Sequence, residues 1–261
     1  MTPLYYTLDD AHRWAAFSGD YNPVHFDEAW VKAQGGTALS VHGMLALLDV
    51  KRSLSPEVAH APYLSCTVRL RRPLLHDTTY LLTHDSARKG AAVVTDILAG
   101  QIFLSCQFTP QTHFPPSEIR HRAVLGGATL AALQTKFVPL LPMAQQWHFL
   151  DALLFRQLIQ DNSVLRQDAI AALLPHCDTL ASLLSCYPVV QTHQEVIFDS
   201  QLLAPWHEDA LPGALEIETL PALVVGDLQH GAIVRIANQT RFLHHNISSA
   251  ITLKVGPTGA Q

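Results

Sequence analysis

Residues 17–47 read FSGDYNPVHFDEAWVKAQGGTALSVHGMLAL. Asp20 follows Gly19 directly, and Asn22-Pro23 forces a reversal, because proline fixes its own φ and biases the residue before it away from the α region. A tight turn between Asp20 and His25 can bring a carboxylate and an imidazole to one spot. Such a pair can hold a water molecule between a proton acceptor and a proton carrier. At the far end, His42-Gly43-Met44 opens an apolar run, in which Met44, Leu45, Leu47, Leu48 and Val50 cover most of a helix circumference. A helix over 42–53 that is apolar nearly all round is expected to be buried. Its free N–H groups, with no side chain on Gly43 to block approach, can bind a developing oxyanion. Each fragment alone is weak: a Gly-Asp-x-Asn-Pro turn is more often structural, and a histidine at a helix start is usually a cap or a packed side chain.

Upstream, DDAHRWAAFS (9–18) reads as a short helix capped by Asp9 or Asp10 and stopped by Gly19, and Asp27 caps a second one, EAWVKAQ, which ends at Gly35-Gly36. Downstream of residue 63 the period changes. YLSCTVRLRRP, TYLLTHD, AAVVTDILA and QIFLSCQFT are strand-like runs separated by turn signals such as HDT and ARKG. THFPPSEIRHR (112–122) is a connector, and 123–187 is helical in character: RAVLGGATLAALQTKF, AQQWHFLDALLFRQLIQ and VLRQDAIAALLPHCDTLASLLS. Past Pro188 strands return in THQEVIFDSQLLA, ALEIETL, AIVRIANQT and SAITLKV. The order helices, strands, helices, strands suggests a duplicated α+β unit.

The composition narrows the function classes. The 261 residues are 48% hydrophobic and 15% charged, with a net charge of −5 and no Lys/Arg stripe, which argues against a sequence-independent grip on nucleic acid. No secretory signal opens the chain, and the longest apolar stretches are broken by Pro139, Pro142, Asp151 and Pro175, so no membrane span is expected. Cys66, Cys106, Cys177 and Cys186 form no CxxC pair, which fits a reduced, cytoplasmic protein. The 15 histidines raise a metal reading, yet there is no HxxxH, and His244-His245, as neighbours on a strand, would point to opposite faces. Incidental histidines are expected rather than a metal site.

Joined in order, SGDxNPxHxD and, about fifteen residues on, HGM at the head of an apolar helix resemble the MaoC-like dehydratase family, which includes the (R)-specific enoyl-CoA hydratases. The match runs through Ser18, Gly19, Asp20, Asn22, Pro23, His25, Asp27, His42, Gly43 and Met44, with an echo of the family's VRFxRPVxxGDT strand in VRLRRPLLHDT (68–78). It covers residues 5 to about 110. The resemblance implies a hotdog fold, an antiparallel sheet wrapped around one long helix. The element order fits a double hotdog in one chain: 1–112 as the hotdog carrying the motif, and 113–261 as a helical segment plus a degenerate second hotdog without SGDxNPxH. The second half would shape the acyl tunnel rather than carry a site.

The resemblance also implies a reaction: reversible syn hydration of a trans-2-enoyl thioester to the (R)-3-hydroxyacyl thioester. Asp20 and His25 would be the acid–base pair, the Gly43 N–H the oxyanion donor, and Ser18, Asn22 and His42 supports of the loop. No cofactor is expected, the acyl group riding on coenzyme A or on a carrier protein's phosphopantetheine; nothing in the sequence separates the two. Arg69, Arg71 and Arg72 concentrate positive charge. Strand alternation would put Arg69 and Arg71 on one face and Arg72 on the other, for a phosphate contact or, more simply, a solvated strand edge. A homodimer is compatible with this reading. The alternatives are a non-catalytic hotdog subunit that binds an acyl chain or a partner, and a hotdog acyl thioesterase. GGTALSV before His42 lacks the family's usual Pro, so the pocket wall is expected to differ there.

Overall fold

The computed structural model describes residues 1–56, 59–174, 177, 179–180, 182–183, 187–207 and 211–256. Pro175, Cys186 and parts of the helix expected after residue 173 lie outside them. The first half runs β1 (Thr2–Leu4), α1 (Leu8–Ser18), a 3-10 turn (Pro23–His25), α2 (Glu28–Ala33), α3 (Gly43–Leu54), β2 (Tyr63–Leu70), β3 (Tyr80–His84), β4 (Ala91–Asp96) and β5 (Ile102–Gln111). The second runs β6 (His121–Gly126), α4 (Gly127–Phe137), α5 (Gln146–Gln160), α6 (Asp168–Leu173), β7 (Val189–Asp199), β8 (Ala214–Thr219), β9 (Leu223–Asp227), β10 (Gly231–Phe242) and β11 (His245–Val255).

All these strands join one antiparallel sheet in the order β1-β3-β4-β5-β2-β7-β11-β10-β8-β6, with β9 paired to the first part of β10. The order is a palindrome about the β2–β7 seam. β2 answers β7, β5 answers β11, β4 answers β10, β3 answers β8 and β1 answers β6, while α3 and α5 occupy equivalent places before β2 and β7. This is the double hotdog. The seam is a ladder from Tyr63↔Asp199 to Arg69↔His193, so the two halves share a sheet rather than merely touching.

The wrapped helices fill the core as their sequences require. Along α3, Ala46, Leu47, Leu48 and Val50 are all but fully buried, and along α5 so are Trp147, Phe149, Leu150, Ala152, Leu153 and Leu154. Apolar residues all round a helix need apolar cover all round. Trp147 stacks on Phe198 of β7 with centroids 4.6 Å apart, tying α5 to the seam strand. One charged group crosses this core: Lys51 of α3 binds Asp151 of α5.

Several local expectations change. Thr7, not Asp9 or Asp10, caps α1, and Asp10 closes the capping box by accepting from the Thr7 backbone N–H. Residues 121–126 are strand, not helix. They pair with β8 over His121↔Thr219 to Gly126↔Ala214, so the helical block begins only at Gly127. β1 and β9 were too short or too interrupted by Pro to stand out. Leu243 and His244 carry φ of 46° and 72°, which makes a two-residue hairpin turn. His244 is therefore in a turn, and His245 opens β11 with its Nδ1 on Asp199. β2 ends at Leu70, and the N–H groups of Arg71 and Arg72 both turn to the Phe103 carbonyl, so strand alternation does not carry through to Arg72.

Candidate active site

Gly19 ends α1 in the left-handed region at φ 78°, its N–H on the Ala15 carbonyl, and this reversal turns Asp20 back under the helix. Asn22 caps the 3-10 turn by accepting from the Val24 N–H at 3.2 Å, and Pro23 starts it, so His25 follows in a fixed place. Local polar groups surround Asp20. Its N–H donates to Ser18 Oγ at 3.1 Å, and its carboxylate accepts from the Asn22 N–H at 3.3 Å. His42 Nε2 donates to its carbonyl at 3.0 Å. Ser18, Asn22 and His42 thus all hold the Asp20 loop.

Ser40 is a partner that sequence reasoning missed. The His25 Nδ1 lies 2.7 Å from the Ser40 carbonyl, and a carbonyl can only accept, so Nδ1 carries the proton and Nε2 is left as an acceptor. Ser40 itself is held by an isolated bridge to Leu75 and by its N–H to the Val24 carbonyl. A serine in GGTALSV gives no sign of this in the sequence. Close by in sequence to the lining residues Leu74 and Leu75, His76 has both ring nitrogens buried without a hydrogen-bond partner among the described residues.

Burial shifts the proton affinities. Removal from water pushes the His25 pKa down, opposed by Asp20 and by the Ser40 carbonyl. It pushes Asp20 up, opposed by the His25 charge and the Asn22 N–H. His42 falls to about 2, from burial first and then the neighbouring His25, so its ring is neutral. Both members of the Asp20–His25 pair are displaced by burial toward their neutral forms.

Polar atoms of Asp20, His25 and His42 lie within 4.8 Å of one another, a grouping of metal-ligand type that sequence spacing did not reveal. The rings of His25 and His42 stack, with centroids 3.7 Å apart and planes 26° from parallel. An imidazole binds a metal through a lone pair in its own plane, so stacked rings aim their lone pairs side by side rather than at a common point. His25 Nδ1 and His42 Nε2 are in addition committed to backbone carbonyls. The geometry therefore suits proton transfer better than a metal.

Asp20 and His25 open on a cavity of about 450 Å³. Gly43 and Met44 at the head of α3 line it too, and α3 has no side-chain cap, so the first N–H groups of this helix face the cavity end unpaired by a cap. A Cβ on Gly43 would stand 2.8 Å from Leu70 Cδ2, which also lines the cavity. Part of the wall comes from the second half: Phe155 and Ile159 of α5, Leu180, and Ile251 and Leu253 of β11. Arg71 and Arg72 line its exposed rim, whereas Arg69 does not line it and donates from Nε to His193 Nε2 across the seam at 3.1 Å. Among the described residues no helix is long and apolar enough to cross a membrane.

No family model and no curated protein matches the chain. Solved structures do. A conserved hypothetical protein of Mycobacterium tuberculosis with a double hotdog fold is 12% identical, with a TM-score of 0.50 over 97% of this chain and 93% of that one. A protein of Chloroflexus aurantiacus named as a MaoC domain dehydratase is 10% identical, with a TM-score of 0.50 over 99% of this chain and 94% of that one. A further MaoC-like dehydratase is 13% identical, with a TM-score of 0.47 over 98% and 96%. The two likenesses at a TM-score of 0.50 run nearly end to end and show that the fold is the hotdog in its doubled form.

Proposed function

We propose that the protein is a MaoC-like hydro-lyase that reversibly hydrates trans-2-enoyl thioesters to (R)-3-hydroxyacyl thioesters. The observation that carries this reading is the Asp20–His25 pair, its polar atoms close together, on a largely apolar cavity that the N-terminus of α3 also lines. Water addition needs an acceptor for the proton leaving water, a donor for the carbon next to the carbonyl, and a dipole for the charge that gathers on the thioester oxygen. His25 Nε2, the Asp20 carboxyl and the N–H groups of Gly43 and Met44 meet these needs. The water held between Asp20 and His25 attacks C3, and a proton reaches C2 from the same side.

Two features support the acyl part. The cavity lining is mostly apolar, and both halves build it, so a single chain completes one acyl site. The corresponding stretch before α5, VPLLPMAQ (138–145), has no carboxylate or histidine to form a second pair. One chain therefore holds one site.

The test is loss of the conjugated enoyl absorbance on incubation with trans-2-enoyl-CoA esters of several chain lengths. Turnover by the wild type, abolished in Asp20→Asn and His25→Ala, supports the reading. Thiol release without hydration would identify a thioesterase instead, and a folded protein inert to every thioester would identify a non-catalytic subunit.

A further inference from the structure

The register of the sheet lays out a surface next to the tunnel rim. One row of outward residues crosses the strands as Arg69 (β2), His193 (β7), Thr252 (β11), Arg235 (β10) and Leu223 (β9). The next row runs Val190 (β7), Lys254 (β11), Ile233 (β10) and Val225 (β9). Val190, Leu223 and Val225 are each 58% exposed and Ile233 40%, a concentration of large apolar side chains that a solvated sheet face does not need. Val190 belongs to the tunnel rim together with Arg71 and Arg72, so the surface is continuous with the entrance.

Its charge is predominantly positive near the entrance. Among the described residues Arg69, Arg71, Arg72 and Lys254 have no carboxylate within ion-pair distance. Of the acidic neighbours, Glu195 is paired with Arg235 at 3.1 Å, and Asp227, hydrogen-bonded to His230 at 3.0 Å, stays an exposed carboxylate at the edge strand, remote from the entrance. Free cations thus gather beside the entrance of a chain whose net charge is −5. A second copy seated symmetrically here would set these cations against their own counterparts, which disfavours self-association. A nucleotide phosphate would use the arginines but gain nothing from Leu223 and Val225, which sit on the strand three places from β7, about 14 Å across the sheet.

We propose that this face docks an acidic carrier protein, which presents the acyl group to the tunnel on a phosphopantetheine arm; the inference rests on the hydratase reading. Apolar contacts from Val190, Leu223, Val225 and Ile233 provide the seat, and Arg69, Arg71, Arg72 and Lys254 the attraction and orientation. The preferred substrate is then the enoyl thioester of the carrier protein rather than of coenzyme A.

The experiment compares kcat/KM for trans-2-octenoyl acyl carrier protein and trans-2-octenoyl-CoA in the wild type, in Lys254→Glu and in the Val225→Asp/Ile233→Asp double variant, with melting temperatures recorded for each. Val225 and Ile233 are exposed and remote from Asp20, so the double variant should fold. The expected result is a loss of about tenfold or more on the carrier-protein thioester, steeper at low salt, with the CoA thioester changed by less than about twofold. Equal losses on both substrates, no loss on either, a wild-type preference for the CoA ester, or a wild-type dimer split by the double variant would each overturn the proposal. Should the wild type hydrate neither thioester, the reaction assignment fails by itself. Docking is then read by calorimetric titration with holo acyl carrier protein: binding weakened by Val225→Asp/Ile233→Asp upholds it, and no binding by the wild type overturns it.

Discussion

Replacing Lys51 by Met should destabilise the protein more than any exposed substitution, because it strands a buried carboxylate. The Lys51 and Asp151 side chains are each about 1% exposed. Lys51 Nζ donates to Asp151 Oδ2 and, at 2.7 Å, to Gln194 Oε1. The other Asp151 oxygen accepts from Gln194 Nε2 at 2.9 Å and from Ser249 Oγ at 3.1 Å. The network thus links both central helices to β7 and β11. Removing one partner of such a pair typically costs about 3–5 kcal/mol, against a usual total stability of about 5–15 kcal/mol. With a urea m-value near 3 kcal/mol/M, the midpoint of Lys51→Met should fall by about 1–1.7 M. The double variant Lys51→Met/Asp151→Leu removes both charges and recovers most of that loss. It stays short of wild type because Gln194 and Ser249 lose an acceptor, at about 1–3 kcal/mol for a buried group. Equilibrium urea unfolding of the wild type, both singles and the double gives the coupling directly. A Lys51→Met midpoint within about 0.3 M of wild type, or a double variant no better than the single, would refute the reasoning.

Gly43→Ala should leave stability within about 1 kcal/mol, since Ala favours a helix and only the tip of Leu70 must move, yet it should lower kcat/KM for a thioester by crowding the helix head; paired urea titration and steady-state kinetics check both. Ile159→Trp narrows the second-half wall of the cavity, so turnover should fall for long acyl chains and persist for short ones in a chain-length series. Acidification should destabilise the fold from about pH 6.5 downward. His42 has a folded pKa near 2, so below its ordinary 6.5 the unfolded chain binds more protons than the native one, and stability falls as pH falls. One such group loses about 2 kcal/mol between pH 6.5 and 5. His25 and His148, both held below the ordinary value by burial, add to the same slope, while Asp20, displaced upward, opposes it. Urea midpoints at the two pH values should differ less in His42→Asn than in the wild type.

Features fixed by local chain chemistry were legible before the structure. Gly19, Asn22 and Pro23 dictate a reversal wherever the rest of the chain goes, and an apolar helix after His42 can only be buried, so Asp20, His25 and Gly43 converge as their spacing suggested. Features fixed by distant partners were not. Ser40 is joined to His25 through a carbonyl that every residue possesses, and Lys51 finds Asp151 a hundred positions away. The strand at 121–126 was hidden because RAVLGG runs straight into a helix, and only its pairing with β8 distinguishes the two. Arg69, Arg71 and Arg72 stood out as a cluster, but their division between rim and seam depends on β2 stopping at Leu70, which is set by the turn of the chain to Phe103.

The assignment of Asp20 and His25 as an acid–base pair acting on one face of an enoyl thioester is tested most directly by product stereochemistry in deuterated water. Hydration of trans-2-octenoyl thioester should give the (R)-3-hydroxyacyl product with deuterium at C2 and hydroxyl at C3 added from the same side, and Asp20→Asn and His25→Ala should give none. An (S) product, anti addition, or undiminished turnover in either variant would contradict the account.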